Sequence, residues 1–184
     1  MGRKMTRVSS DHASVFLMPG FLYCAPVATR VTTILGSCVA VCLWDKVRRL
    51  GGMNHYLLPH QRPKASGPRF GDVAIAQLVD GMVQLGCRPA SMYAKVFGGA
   101  TVLPFDVAGT PIGQRNIDVA VRELDELEIP IIAYQTGGYQ GLWICLHTET
   151  GEVLARGIST TLNKWATAPS RLSPGSRGAA LRLP

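Results

Sequence analysis

The sequence predicts an α/β sandwich: one domain with a mixed, largely antiparallel sheet and two main helices. Three observations carry that expectation. The chain has 184 residues, 47% hydrophobic and 17% charged, which is long enough to bury a sizeable core. Short β-rich apolar runs bounded by glycine and proline alternate with two stretches of helical spacing. The last third reads as strand, turn, strand, turn, strand, and its final two strands make a hairpin.

The elements follow in order. "SCVAVCLWD" is β-rich and apolar throughout, as a buried strand should be. "GMNHYLLP" is a second strand stopped by Pro59, with Gly51 and Gly52 expected in the turn between the two. "HQRPKASGPRFG" is a polar loop. Asp72 is expected to N-cap a helix running to about Leu85, with Val73, Ala76, Val79, Met82 and Val83 on its apolar face. Gly86 and Pro89 end that helix. "MYAKVFGGA" is a strand closed by a glycine pair. "IGQRNIDVAVRELDELEI" is the second helix, with Ile117, Val121, Leu124 and Leu127 at helical spacing. "IPIIAYQT", the turn "GGYQG", "LWICLHT", the turn "ETG" and "EVLARGI" complete the domain. The expected boundaries are a loose basic arm over 1–12, the domain over 13–163, and a disordered basic tail over 164–184.

The net charge of +7 is carried by the ends. Lys164, Arg171, Arg177 and Arg182 meet no acid beyond residue 163, and Arg3, Lys4 and Arg7 meet only Asp11 in the first twelve residues. The middle is nearly neutral, which argues against a nucleic-acid-binding face on the fold. No apolar run approaches a membrane-spanning length, and the apolar stretch near the start is too short for a secretion signal. The expected location is the cytoplasm, where the five cysteines should be free thiols.

Several kinds of chemistry lack their residues. The acids fall mostly on the second helix or in turns and suggest no carboxylate pair for glycoside or peptide hydrolysis. The phosphate-cradling GxxxxGK[ST] pattern is absent, and "FGGATVL" and "GGYQG" lack the dinucleotide-binding order. Cys38, Cys42 and His55 offer three zinc donors but no CxxC pair and no fourth ligand. His12, His60 and His147 read as surface residues. Ser37 is a second nucleophile candidate, although "GSC" is not the G-x-S-x-G elbow.

Cys38 remains. A cysteine nucleophile needs a base within reach and donors aimed at the oxyanion of its tetrahedral intermediate. Gly36 permits a tight turn that lets the backbone N–H groups around Ser37 and Cys38 face outward, and His55 stands on the next strand. The same residues would also serve as core packing and a structural histidine, and the pattern alone leaves both readings open.

The sequence resembles the chemoreceptor glutamine deamidases, the CheD family, in its proteobacterial form. The resemblance runs over most of residues 13–160. It rests on "TTILGSCVAVCLWD", "GGMNHYLLP", "RFGDVAI", "AKVFGGA", "IGQRNI" and a late glycine motif, all in order. It implies a fold similar to a bacterial deamidating toxin domain. It places the nucleophile on Cys38, the histidine on His55, and a threonine six residues before the cysteine on Thr32, next to Thr33. It implies a cysteine-dependent hydrolase that converts glutamine side chains of methyl-accepting chemotaxis receptors to glutamate, with no cofactor. A CheC-type phosphatase is the implied partner in some bacteria. The alternative is a non-catalytic adaptor of the same fold that docks on receptors or a phosphatase. Two positions depart from the pattern: Leu142 stands where many relatives have arginine, and Gln114 where many have glutamate.

Overall fold

The apolar run of residues 39–45 becomes the central strand of a five-stranded sheet, covered on both faces. The computed structural model describes residues 13–62, 65–101 and 109–158. Its elements in chain order are β1 (Ala13–Phe16), β2 (Phe21–Cys24), β3 (Thr29–Leu35), β4 (Val39–Asp45), β5 (Leu50–His55), α1 (Gly71–Gln84), β6 (Met92–Gly98), α2 (Ile112–Glu126), β7 (Ile131–Thr136), β8 (Gly141–His147) and β9 (Glu152–Ile158). One sheet has the order β1-β3-β8-β9 and the other β2-β5-β4-β6-β7. Neighbours are antiparallel except β1 with β3 and β6 with β7.

Three layers result. Between the sheets, Val31 and Leu35 of β3 and Leu142, Ile144 and Leu146 of β8 pack on Ala40, Cys42, Met53 and Phe97. On the far side of the five-stranded sheet, Val39, Val41, Leu43, Ala94 and Val96 pack on Ile75, Leu78 and Met82 of α1 and on Val119, Ala120 and Leu124 of α2. β4 is thus buried on both faces, which is why its sequence is a continuous apolar run rather than an alternation.

The α/β sandwich with two main helices is as the sequence predicts, with the strands divided between two sheets. Details differ. Gly51 and Gly52 lie inside β5. Each is a glycine because a Cβ would press on neighbouring backbone, the Thr148 carbonyl at Gly51 and the Tyr23 carbonyl at Gly52. The turn is made at residues 46–49 instead, with Asp45 accepting from the N–H groups of Val47 and Arg48 and Arg49 at φ 55°. Phe70 is the N-cap of α1, and Asp72 sits in its first turn. The buried stripe of α1 is Ala74, Ile75, Leu78, Val79 and Met82, while Val83 is exposed. The helix carries two apolar stripes, and the core takes the one with the larger side chains. In α2 the inward face is Asn116, Val119, Ala120 and Leu124, leaving Val121 and Leu127 outside. Strands β1, β2 and β3 carry no pattern that the sequence reading identifies as strand. The expected arm and tail lie outside the described residues.

Candidate active site

The chain passes from one sheet to the other at Gly36-Ser37-Cys38. β3 ends at Leu35 in the four-stranded sheet and β4 begins at Val39 in the five-stranded one. Cys38 is therefore half-buried at the seam. In the five-stranded sheet Cys42 pairs with Met53 and Val39 with Tyr56. That register sets His55 opposite Ala40, on the same face as Cys38 and one diagonal step from it, a spacing of about 7 Å between such positions. This face looks across the gap to the four-stranded sheet.

From that opposite sheet comes Thr33. Its hydroxyl lies 2.8 Å from His55 Nδ1 and donates to the Leu17 carbonyl at 2.8 Å. A hydroxyl has one proton. With that proton given to Leu17, Thr33 Oγ1 accepts from His55, so Nδ1 carries the ring hydrogen and Nε2 carries the free lone pair. Leu17 is held in turn by its own N–H to the Thr32 carbonyl, 2.7 Å. Nε2 is buried and makes no hydrogen bond among the described residues, Cys38 included.

Burial lowers the His55 pKa to about 4, and the Leu17 carbonyl offsets only part of this. Burial also raises the Cys38 thiol, with its own backbone N–H acting the other way. Both groups are consequently neutral near pH 7, a thiol beside an unprotonated imidazole rather than a preformed ion pair. Such a pair suits general-base activation of the sulfur, in which the base takes the proton as the nucleophile attacks.

The loop's three carbonyls are all engaged. Gly36 accepts from Ala100 N–H and Cys38 from Gly99 N–H, each at 2.8 Å, and Ser37 accepts from Asn116 Nδ2 at 2.9 Å. In a trans peptide the N–H points opposite to the preceding C=O. The Cys38 N–H therefore points away from Asn116 and the helix layer, toward the face that holds the sulfur. Gly98 and Gly99, at φ 101° and 71°, let this strand end pass against the loop. A Cβ on Gly98 would fall on the Cys38 carbonyl oxygen.

Of the expected residues, Cys38, His55, Ser37 and Gly36 gather at the seam. The hydrogen bond to His55 expected of Thr32 is made by Thr33. Side chains alternate along β3, and Val31, Thr33 and Leu35 face inward. Thr32 faces the other way, its hydroxyl 3.3 Å from the Val15 carbonyl. His60 lies by Asp72 and His147 by Glu149, both away from the seam. Cys42 is buried in the inter-sheet layer, its thiol pushed up to about 12 chiefly by burial. Among the described residues no three His, Cys, Asp or Glu side chains gather as a metal site requires. Leu142 is a core residue of that layer, and Gln114 bonds Asp118 on the exposed side of α2. Sequence reasoning missed the Leu17 carbonyl and Asn116, and named Thr33 only as the neighbour of Thr32. Strand alternation in β3 separates the two threonines only once the inward phase is known. Beside the loop, a cleft of about 390 Å³ opens over Gly98, Ala100, Gln135, Gly138, Tyr139 and Leu142, with neither Cys38 nor His55 in its lining.

Fold and site together define a class: a two-sheet sandwich carrying a cysteine–histidine centre at the crossing between its sheets. The family model described as CheD chemotactic sensory transduction matches residues 57–157. "Probable chemoreceptor glutamine deamidase CheD" of Rhodospirillum rubrum is 46% identical over 147 residues, covering 80% of this chain and 84% of that protein. "Probable chemoreceptor glutamine deamidase CheD 1" of Anaeromyxobacter dehalogenans is 44% identical over 144 residues, covering 78% and 84%. The relative from Sulfurimonas denitrificans, named as the first is, is 39% identical over 153 residues, covering 82% and 98%. The chain belongs to the CheD family.

Proposed function

We propose that this protein hydrolyses glutamine side chains of chemoreceptors to glutamate, with Cys38 as nucleophile and His55 as base. The observation that carries the reading is the relay from His55 Nδ1–H to Thr33 to the Leu17 carbonyl, which leaves Nε2 bare on the face that holds Cys38. Thr33 is the positioning residue of the imidazole.

The chemistry runs in two halves. His55 Nε2 takes the thiol proton while the sulfur attacks the carboxamide carbon. The Cys38 N–H donates to the oxyanion of the tetrahedral intermediate. The intermediate collapses, the carbon–nitrogen bond breaks, and His55 returns the proton to the leaving ammonia. A thioester remains. A water that gives its proton to Nε2 then attacks the thioester, releasing glutamate and the thiol. The covalent step divides one slow amide hydrolysis into two easier ones.

The relatives' names point to receptors as the substrate, and each conversion adds one negative charge to a receptor surface. A cytoplasmic location fits that substrate. No helix among the described residues is long and apolar enough to cross a membrane. A CheC-type phosphatase is the further partner we propose, on the family resemblance.

The test is mass spectrometry of a receptor cytoplasmic fragment incubated with wild type and with Cys38→Ala. Amide-to-acid mass shifts at defined glutamines, present with wild type and absent with the variant, are expected. No shift with either, across several receptors, would favour the adaptor reading. Shifts with both would move the chemistry to another residue.

A further inference from the structure

The "IGQRN" stretch opening α2 has no part in the two-step hydrolysis above. Asn116 within it is fully buried on the helix face that packs against the sheet, where its neighbours in the stripe are apolar. Its side chain does not serve the helix. Nδ2 donates to the Ser37 carbonyl at 2.9 Å and to the Leu57 carbonyl at 3.0 Å. Its own backbone carbonyl accepts from the Tyr56 hydroxyl at 2.6 Å. Oδ1 is buried with no partner among the described residues. The two carbonyls thus set the carboxamide's orientation, since reversing it would turn Oδ1 against two other oxygens.

The reach depends on a close approach. Gly113, one turn before Asn116, lies on the Gly99 backbone, where a Cβ would collide with the Gly99 carbonyl. The first turn of α2 is drawn onto the strand end that also holds the Gly36 and Cys38 carbonyls. Among the described residues, of the three carbonyls in the Gly36–Cys38 link only that of Ser37 is held by a side chain. It belongs to the peptide whose N–H is that of Cys38.

We propose that Asn116 is a positioning residue for amide hydrolysis at Cys38, holding the Ser37–Cys38 peptide so that its N–H stays aimed at the oxyanion. The inference rests on the reading of Cys38 as nucleophile and adds the group that orients the donor. The peptide is planar, so a carbonyl pinned on one side fixes the N–H on the other. Without Asn116 the Ser37 carbonyl loses its donor, and the peptide is free to turn about the bonds flanking it. Turned over, it would present an oxygen where the oxyanion forms.

The experiment compares two reactions of one sulfur. Deamidation passes through an oxyanion. Alkylation by iodoacetamide does not: the sulfur displaces iodide at a saturated carbon, needing the thiolate and His55 but no oxyanion donor. We would measure both for wild type, Asn116→Ala and Asn116→Leu, using a receptor fragment and iodoacetamide. The expected result is kcat lower by about 10- to 100-fold, below the loss for deleting such a donor outright. KM should stay within about 2-fold, and so should the alkylation rate read at its high-pH limit, where Cys38 is fully ionised and the N–H no longer sets the thiolate fraction. Asn116→Leu keeps most of the volume and sets no oxygen against the two carbonyls, so a folding failure of the alanine variant does not stop the test. Deamidation and alkylation falling together would assign Asn116 to holding the loop as a whole and overturn the proposal. Unchanged deamidation would overturn it as well. Wild type that alkylates at Cys38 but deamidates no receptor would instead remove the functional reading beneath it.

Discussion

Replacing Thr33 by valine removes one hydroxyl and little volume. Two buried groups lose their partner, the His55 Nδ1–H and the Leu17 carbonyl, each 2.8 Å from the lost oxygen. An orphaned buried polar group costs about 1–3 kcal/mol, so a stability loss of about 2–6 kcal/mol is expected for the two, read from urea midpoints. The kinetic loss follows from the tautomer. With only the Leu17 carbonyl left near Nδ1, the ring hydrogen is freer to sit on Nε2, and in that tautomer the base has no lone pair for the thiol. In a catalytic triad whose histidine is held by a buried carboxylate, the wrong tautomer costs about 10⁴ in kcat. A neutral hydroxyl holds the ring less strongly, so about 10²–10³ is expected for ammonia release from a receptor fragment. Thr33→Ser should keep most of the activity. Thr32→Val, which loses only a half-buried 3.3 Å bond to Val15, should change stability by less than about 1 kcal/mol and kcat by less than about 3-fold. The reasoning fails if Thr33→Val retains near-wild-type kcat, or if Thr32→Val loses as much.

Three further outcomes are expected. The His55 pKa is lowered from 6.5 to about 4, so the stability it confers is present above 6.5 and lost as pH falls toward 4, about 3 kcal/mol in all; thermal melts should show this acid loss in wild type and a smaller one in His55→Gln. Because His55 is neutral above about 4 while burial raises the Cys38 thiol, Cys38 alkylation should keep climbing above pH 8 with no plateau on the acid side, and such a plateau would reveal an ion pair instead. Asp45 accepts from Val47, Arg48, Arg88 and Ser91, and these bonds overcome the upward push of burial to hold it at about 2, so Asp45→Ala should cost about 3 kcal/mol in denaturant unfolding while leaving Cys38 alkylation unchanged in the folded protein.

The parts of the fold legible in the sequence are those where one force dominates. β4 announces itself because burial on both faces demands an unbroken apolar run. The turns at Gly137-Gly138 and before β9 announce themselves through glycines, which take positive φ at 137, 138 and 151. The helix faces were less legible, since α1 offers apolar residues on two stripes and only the partner layer chooses between them. β3 was harder still. Both phases of "TRVTTIL" contain apolar residues, Val31 and Leu35 in one and Ile34 in the other, and Ile34 is the exposed one. Choosing between Thr32 and Thr33 required knowing which phase faced the second sheet. Cys38 and His55 were legible as types of residue at a suggestive spacing. Their meeting depends on the β4–β5 register, and Asn116 meets the loop across a long sequence separation that no local pattern records.

The strand order of the smaller sheet has a consequence for when the protein can act. Thr33, Cys38 and His55 are all synthesised within the first third of the chain. Yet β3 takes its place between β1 and β8, and β8 is formed by residues 141–147. Until that late segment arrives, the inter-sheet layer lacks Leu142, Ile144 and Leu146, and nothing clamps Thr33 over the imidazole. A chain cut before residue 141 lacks the strand that pairs with β3, so such a truncation is expected to release no ammonia from a receptor fragment.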